Sequence, residues 1–166
     1  PFSERVAWAL VEMAGGRVPS PLSSSEQSRV RSRWQTIRAA AEPSLALHSA
    51  MARRAERSRW SAPDPHGLLR DPRVIPSGVS APRSGMSTAG YAEGYVTNED
   101  LEEVVADHLL LPARGPENVT LRATPRTLST PLPWLLIAAD LADGGAREAG
   151  QANLLLRRYA PLQKDT

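Results

Sequence analysis

The chain has three histidines, the side chains that could donate or accept protons near neutral pH. His48 and His108 fall in predicted helices and His66 in a proline-containing turn, and no two have the i, i+4 spacing of a helical zinc site. The sequence contains no cysteine, which excludes thiol nucleophiles, cysteine-based zinc sites and disulfide bridges. Residues 85–90 have one residue too many for the Gly-x-Ser-x-Gly turn that presents a nucleophilic serine. We therefore predict no catalytic residue, metal site or cofactor, and a function in binding.

Arginine accounts for 19 of the 20 basic residues, and Lys164 is the only lysine. A guanidinium group binds phosphate through two parallel hydrogen bonds, which suits contact with nucleic acid, although a GC-rich genome produces the same bias. Residues 1–60 carry ten arginines and five glutamates, a net charge of +5, whereas residues 61–166 have a net charge of −3. We predict that arginines of the first part contact DNA, with a solvated helix face as the alternative. The predicted DNA-binding residues are Arg29, Arg31, Arg33, Arg38, Arg53, Arg54 and Arg57.

The chain also has an acidic segment between Arg83 and Arg114. This segment contains six carboxylates and no arginine or lysine. A basic part and an acidic part of one chain indicate two surfaces with different partners. The alternative is two solvated faces of opposite sign. The residues predicted to bind a protein partner are Glu99, Glu102 and Glu103.

Three helices are predicted to carry the arginines of the first part. An apolar residue at every third or fourth position indicates a helix over residues 2–14, and Ser23 followed by Glu26 has the spacing of a capping box that starts a second helix. A third helix is predicted over residues 44–60. The first two helices are compatible with a helix-turn-helix, but their nine-residue connection is longer than the three or four residues usual in that motif.

Residues 61–82 contain five prolines, which exclude a long helix, so we place a domain boundary near residue 61. Beyond it, aromatic and β-branched residues predict a first strand. Period-two alternation predicts a second strand that is half-buried, and helices separate or follow the two strands. The strands are 91–97 and 118–124, and the helices are 99–109, 134–142 and 146–159. We predict an α+β fold, helix-rich overall, with a helical N-terminal lobe (residues 1–60) packed with a small mixed α/β domain (residues 61–166).

The longest apolar run near the C-terminal end covers residues 134–139, far short of the roughly 20 apolar residues of a membrane span. No basic start followed by an apolar stretch indicates a secretory signal, so the cytoplasm is the expected location.

Three segments of the second part, taken in order, are similar to a known family. They are residues 74–81 (Val-Ile-Pro-Ser-Gly-Val-Ser-Ala) leading to Tyr95-Val96, residues 118–122 (Asn-Val-Thr-Leu-Arg), and residues 133–141 (Pro-Trp-Leu-Leu-Ile-Ala-Ala-Asp-Leu) followed by residues 146–152. Over roughly residues 73–160 the chain resembles the C-terminal half of AbiEi-type antitoxins of type IV toxin–antitoxin pairs. Two features depart from that family: Glu117 stands where glycine is usual, and the N-terminal winged-helix signature is not evident in residues 1–60.

The resemblance implies a cytoplasmic, non-enzymatic bacterial protein that neutralises a nucleotidyltransferase-type toxin and represses its own operon by binding its own promoter DNA. A basic, nucleotide-handling toxin would suit the acidic segment, because opposite potentials speed association. Two other interpretations stay open. One is a stand-alone transcriptional regulator or nucleic-acid-binding protein without a toxin partner, and the other is an interaction scaffold in which the arginines have no special role.

Overall fold

The structure is a computed structural model that describes residues 1–19, 21–112 and 116–160, and it forms two compact units. The first consists of Pro1–Arg54 and Pro133–Thr166, and the second of Ala55–Leu132. The described helices are α1 (Glu4–Ala14), α2 (Ser24–Ala39), α3 (Pro43–Met51), α4 (Pro65–Arg70), α5 (Leu101–Asp107), α6 (Trp134–Ala142) and α7 (Ala146–Tyr159). The described strands are β1 (Glu56–Ser61), β2 (Ile75–Pro76), β3 (Ala92–Thr97), β4 (Leu111–Pro112) and β5 (Val119–Thr124). The predicted α+β, helix-rich fold class is confirmed.

The described regular elements of the first unit are all helices, and they are arranged around α6. Eight consecutive residues of α6, from Trp134 to Leu141, are buried. A helix that is buried on all sides must be enclosed by other elements, and α6 packs against α1, α3 and α7. Helix α7 contributes one apolar side that includes the buried residues Ala152, Leu155 and Leu156.

This packing places the domain division differently from the boundary predicted near residue 61. The predicted second domain included residues 134–142 and 146–159, but α6 and α7 belong to the same compact unit as α1, α2 and α3. The reason is the apolar surface of α6, which the N-terminal helices cover. The chain therefore leaves the helical unit after Arg54, forms the second unit, and returns at Pro133.

The second unit contains a mixed five-stranded sheet with the order β2-β3-β5-β1-β4. Strand β5 lies at its centre, parallel to β3 and antiparallel to β1. All six residues of β5 are buried, so the prediction of a half-buried strand was wrong. The alternation of Thr120 and Arg122 with apolar residues marks two buried faces, because the polar side chains find partners inside the unit.

The predicted helix over residues 44–60 was also too long. Helix α3 ends at Met51, and residues 56–61 form β1, which pairs antiparallel with β5. Arg57 and Arg59 are exposed whereas Ser58 and Trp60 are partly buried, a period of two that is typical of a strand. Pairing with a distant strand overrode the local helical pattern here.

The sheet and its covering helices enclose one apolar core in the second unit. Its buried members include Leu68 of α4 and Val104 of α5, together with residues of β3 and β5. Across the residues described here, no helix is both long enough and apolar enough to cross a membrane.

Candidate nucleic-acid interface

Helix α2 contains four of the seven predicted DNA-binding arginines, and its first turn is fixed by a complete capping box. The Glu26 backbone N–H donates to Ser23 Oγ over 3.3 Å, and the Ser23 backbone N–H donates to Glu26 Oε2 over 2.9 Å. Both donors would otherwise be unsatisfied at a helix start. Arg5 of α1 forms an ion pair with Glu26 and donates to the Pro21 carbonyl oxygen. The predicted helix start at Ser23 is therefore confirmed.

The rotation of α2 about its axis is set by an apolar stripe at positions 30, 34 and 37. Val30 and Ile37 are buried, and the Trp34 ring lies 6.3 Å from the Trp134 ring. Trp134 in turn stacks on Tyr159 at 5.3 Å. These contacts fix which side of α2 faces away from the helical unit.

The four predicted arginines of α2 do not lie on one face. With about 100° per residue, Arg29 and Arg31 lie on opposite flanks of the buried stripe, roughly 160° apart across the outward side. Both side chains are exposed. Arg33 lies on the same flank as Arg29 and is partly buried. Arg38 lies on the same flank as Arg31 and is also partly buried, and its Nε donates to the Ala160 carbonyl oxygen over 3.3 Å. Arg29 interacts electrostatically with Glu26, and within the described part of the chain no carboxylate lies within 4.0 Å of the guanidinium nitrogens of Arg29, Arg31 or Arg33.

The remaining three predicted arginines lie elsewhere, and one is corrected outright. Arg54 is 2% exposed and donates to Asp140 and Asp143 of the same unit, so it is a buried structural residue and not a DNA contact. A guanidinium group enclosed by two carboxylates has no surface left for phosphate. Arg53 is exposed in the turn after α3, and Arg57 is exposed on β1 in the other unit.

The division of charge predicted from the sequence persists when it is counted by unit. The helical unit has twelve basic and eight acidic residues, a net charge of +4. The second unit has eight basic and ten acidic residues, a net charge of −2. The positive unit is the one that contains α2.

Five of the six carboxylates of the acidic segment lie on α5 or in the two residues before it, and a basic residue from outside the segment contacts them. Arg73 lies 2.8 Å from Asp107 Oδ2, 3.5 Å from Glu103 Oε2 and 2.6 Å from Asp71 Oδ2. Of the three residues predicted to bind a partner, Glu99 and Glu102 are exposed, whereas Glu103 is exposed and ion-paired. Arg73 therefore reduces the negative potential on one side of α5. The sequence did not indicate this, because Arg73 lies outside the acidic segment.

Sequence reasoning missed the network around Asp71. His108 Nε2 lies 2.7 Å from Asp71 Oδ2, and Arg73 donates to both oxygens of the same carboxylate. The hydrogen bonds from Arg73 are the main cause that holds the pKa of Asp71 well below its usual range, and His108 adds to this, against the opposing effect of burial. The Asp-x-Arg spacing is the one local signal that could have indicated the pair.

Because the pKa of Asp71 is lowered in the folded protein, its ion pairs stabilise the fold at pH values above the usual aspartate value of about 3.9. This stabilisation is lost as the pH falls further, toward the folded-state value. We expect Asp71→Asn to be less stable than the wild type at neutral pH and to lose less stability on acidification. Urea unfolding between about pH 5 and pH 2 measures this, with exposed Glu102→Gln as the control. Parallel stability curves for wild type and Asp71→Asn would contradict it.

Sequence reasoning also missed a second buried ion pair. Arg122 of β5 donates to Glu93 of β3 over 2.5 Å, with 2% and 8% of their side chains exposed. Glu93 Oε2 also accepts the Val79 N–H over 3.2 Å, and Gly78, with φ of +51°, lies where any side chain would collide with that carboxylate. The pair joins two strands and a loop, and its role is structural.

Among residues 1–19, 21–112 and 116–160, no cluster of three or more histidine, aspartate or glutamate side chains could hold a metal ion. Comparisons with models of protein families, with curated proteins and with solved structures find no significant match.

Proposed function

We propose that this chain is a bacterial regulatory protein that binds double-stranded DNA through α2 and carries out no catalysis. The observation that supports this most strongly is the pair of exposed arginines, Arg29 and Arg31, on the two flanks of a helix whose orientation is fixed by Val30, Trp34 and Ile37. An α-helix fits the major groove, which is about 12 Å wide, and arginines on its flanks reach the phosphates of the two strands.

Two further observations support the same proposal. The unit that contains α2 has a net charge of +4, which favours encounter with a polyanion. Of the four α2 arginines, Arg29 and Arg31 are exposed and the other two are partly buried, so we expect phosphate contact mainly from Arg29 and Arg31. A cytoplasmic location belongs to this proposal, because the DNA of a bacterium lies there.

We expect Arg29→Ala/Arg31→Ala to bind duplex DNA at least tenfold more weakly than the wild type at moderate salt, because two phosphate contacts are lost. The slope of log K against log salt should fall in magnitude by about 2. Fluorescence anisotropy with duplexes from the region upstream of the gene, at several salt concentrations, measures both quantities. Arg70→Ala, which removes an exposed arginine of α4 that is not among the predicted DNA-binding residues, is the control and should leave the slope unchanged. An unchanged slope in the double variant would refute phosphate contact by α2.

A protein partner is proposed for the acidic side of the second unit. Glu99 and Glu102 are exposed near or on α5, and a partner with a basic surface would be attracted to them. The resemblance to AbiEi-type antitoxins makes a nucleotidyltransferase-type toxin the candidate, in which case DNA binding by α2 would repress the shared operon. A stand-alone regulator without a toxin partner is the alternative.

Co-expression and pull-down with the product of the adjacent gene tests the partner. We expect Glu99→Lys/Glu102→Lys to slow association and to leave dissociation nearly unchanged, since exposed charges act mainly on the encounter rate. The control is Glu117→Lys in the same unit. If the association rate of Glu99→Lys/Glu102→Lys equals that of the wild type, α5 is not the partner surface.

A further inference from the structure

The side of α2 opposite the apolar stripe contains uncharged polar residues, which are not typical of a helix face that only contacts solvent. Ser28, Ser32 and Gln35 are exposed and follow one another at i, i+4 and i+7, which places them in one stripe. The apolar stripe of Val30, Trp34 and Ile37 has the same spacing two residues later, so the two stripes lie on opposite sides of the helix.

This outward stripe contains neither charged residues nor large apolar ones. Serine is a poorer helix former than alanine, glutamate or lysine, because its hydroxyl competes for backbone hydrogen bonds. Solvent-facing helix positions are usually occupied by charged residues. Residues that lower the stability of a helix at such positions indicate a functional requirement. Short hydroxyl and amide groups combine hydrogen-bonding capacity with little bulk, which is what contact with the edges of bases requires.

From this geometry we infer that α2 reads base sequence in the major groove through Ser28, Ser32 and Gln35. The inference rests on the proposed DNA-binding function and adds to it the residues that determine specificity. The stripe from position 28 to position 35 spans about 10 Å along the helix axis, the length of about three base pairs. Arg29 and Arg31 stand on either side of it, so the helix would contact both phosphate walls while the stripe faces the bases.

The side chains also define the expected preference. A glutamine amide pairs with the N6 and N7 atoms of adenine, whereas a serine hydroxyl accepts or donates and contacts more than one base. We therefore expect the sites that the protein selects to contain an adenine that depends on Gln35. Ser28 and Ser32 should contribute preference at neighbouring positions.

Selection of duplexes from a randomised pool tests this, with the full-length chain, the variant Ser28→Ala/Ser32→Ala/Gln35→Ala, and exposed Ser49→Ala of α3 as the control. Alanine is the better helix former, so the triple variant should fold, and circular dichroism checks that it does. We expect the triple variant to keep the wild-type salt slope and its affinity for unselected DNA. Its preference for the wild-type motif should fall about tenfold or more, and Gln35→Ala alone should remove the adenine.

The outcomes separate this inference from the function on which it rests. If wild type and triple variant enrich the same motif with the same preference, base reading by this stripe is refuted while DNA binding by α2 stands. If the wild-type protein binds no duplex DNA, the proposed function fails and the inference with it. Equal affinity for double-stranded RNA would also refute it, because the deep, narrow major groove of RNA does not admit a helix.

Discussion

Replacing Arg54 with alanine is expected to lower the free energy of unfolding by about 3–5 kcal/mol, because the change removes the cation that balances buried carboxylates. The Arg54 side chain is 3% exposed, and its Nη2 lies 2.5 Å from Asp140 Oδ1 and 2.6 Å from Asp143 Oδ2. The Asp140 side chain is completely buried. Water does not solvate a carboxylate at such a position, so removal of the Arg54 guanidinium leaves its negative charge less well compensated.

Arg53→Ala is the matched control for this prediction. Arg53 is the preceding residue in the chain and is exposed, so its removal should change stability by no more than about 0.5 kcal/mol. Urea unfolding followed by circular dichroism measures both variants, and Arg54→Lys should lie between them because lysine keeps the charge but not the planar fork. Similar stabilities for Arg53→Ala and Arg54→Ala would show that Arg54 is not a buried structural residue.

Glu93→Ala is expected to lower the free energy of unfolding by a comparable amount, about 3–5 kcal/mol. The variant removes the ion pair between Glu93 and Arg122 inside the sheet, and Arg122 is 1% exposed. It also removes the acceptor for the Val79 N–H, which is part of the loop that contains Gly78. Burial of a polar N–H without a partner adds to the cost.

Glu93→Gln separates the two contributions to this effect. The amide oxygen can still accept from Val79, but it carries no charge to balance Arg122, so the loss should be smaller than for alanine. Exposed Glu99→Ala of the same unit is the control and should be nearly silent. The expectation fails if Glu93→Ala and Glu99→Ala unfold at the same urea concentration.

Interactions within one element explain what could be predicted from the sequence. The start of α2 at Ser23 follows from a capping box whose two residues are three positions apart. The helices α1, α6 and α7 follow from apolar spacing or apolar runs, and β3 follows from its aromatic and β-branched residues. The α+β class needed only these patterns, because each depends on residues that are neighbours in the chain.

The sequence by itself thus determined most of the elements, the basic and acidic parts, and α2 as the arginine-bearing helix. Only the tertiary structure decided which arginines face solvent, because Arg54 meets Asp140 at a separation of 86 residues and Arg122 meets Glu93 at 29. It also decided that residues 56–61 form a strand, since the partner strand β5 lies about sixty residues further on. The sequence does not show whether water or a distant carboxylate compensates the charge of an arginine. Only packing of the folded chain brings the arginine and that carboxylate together.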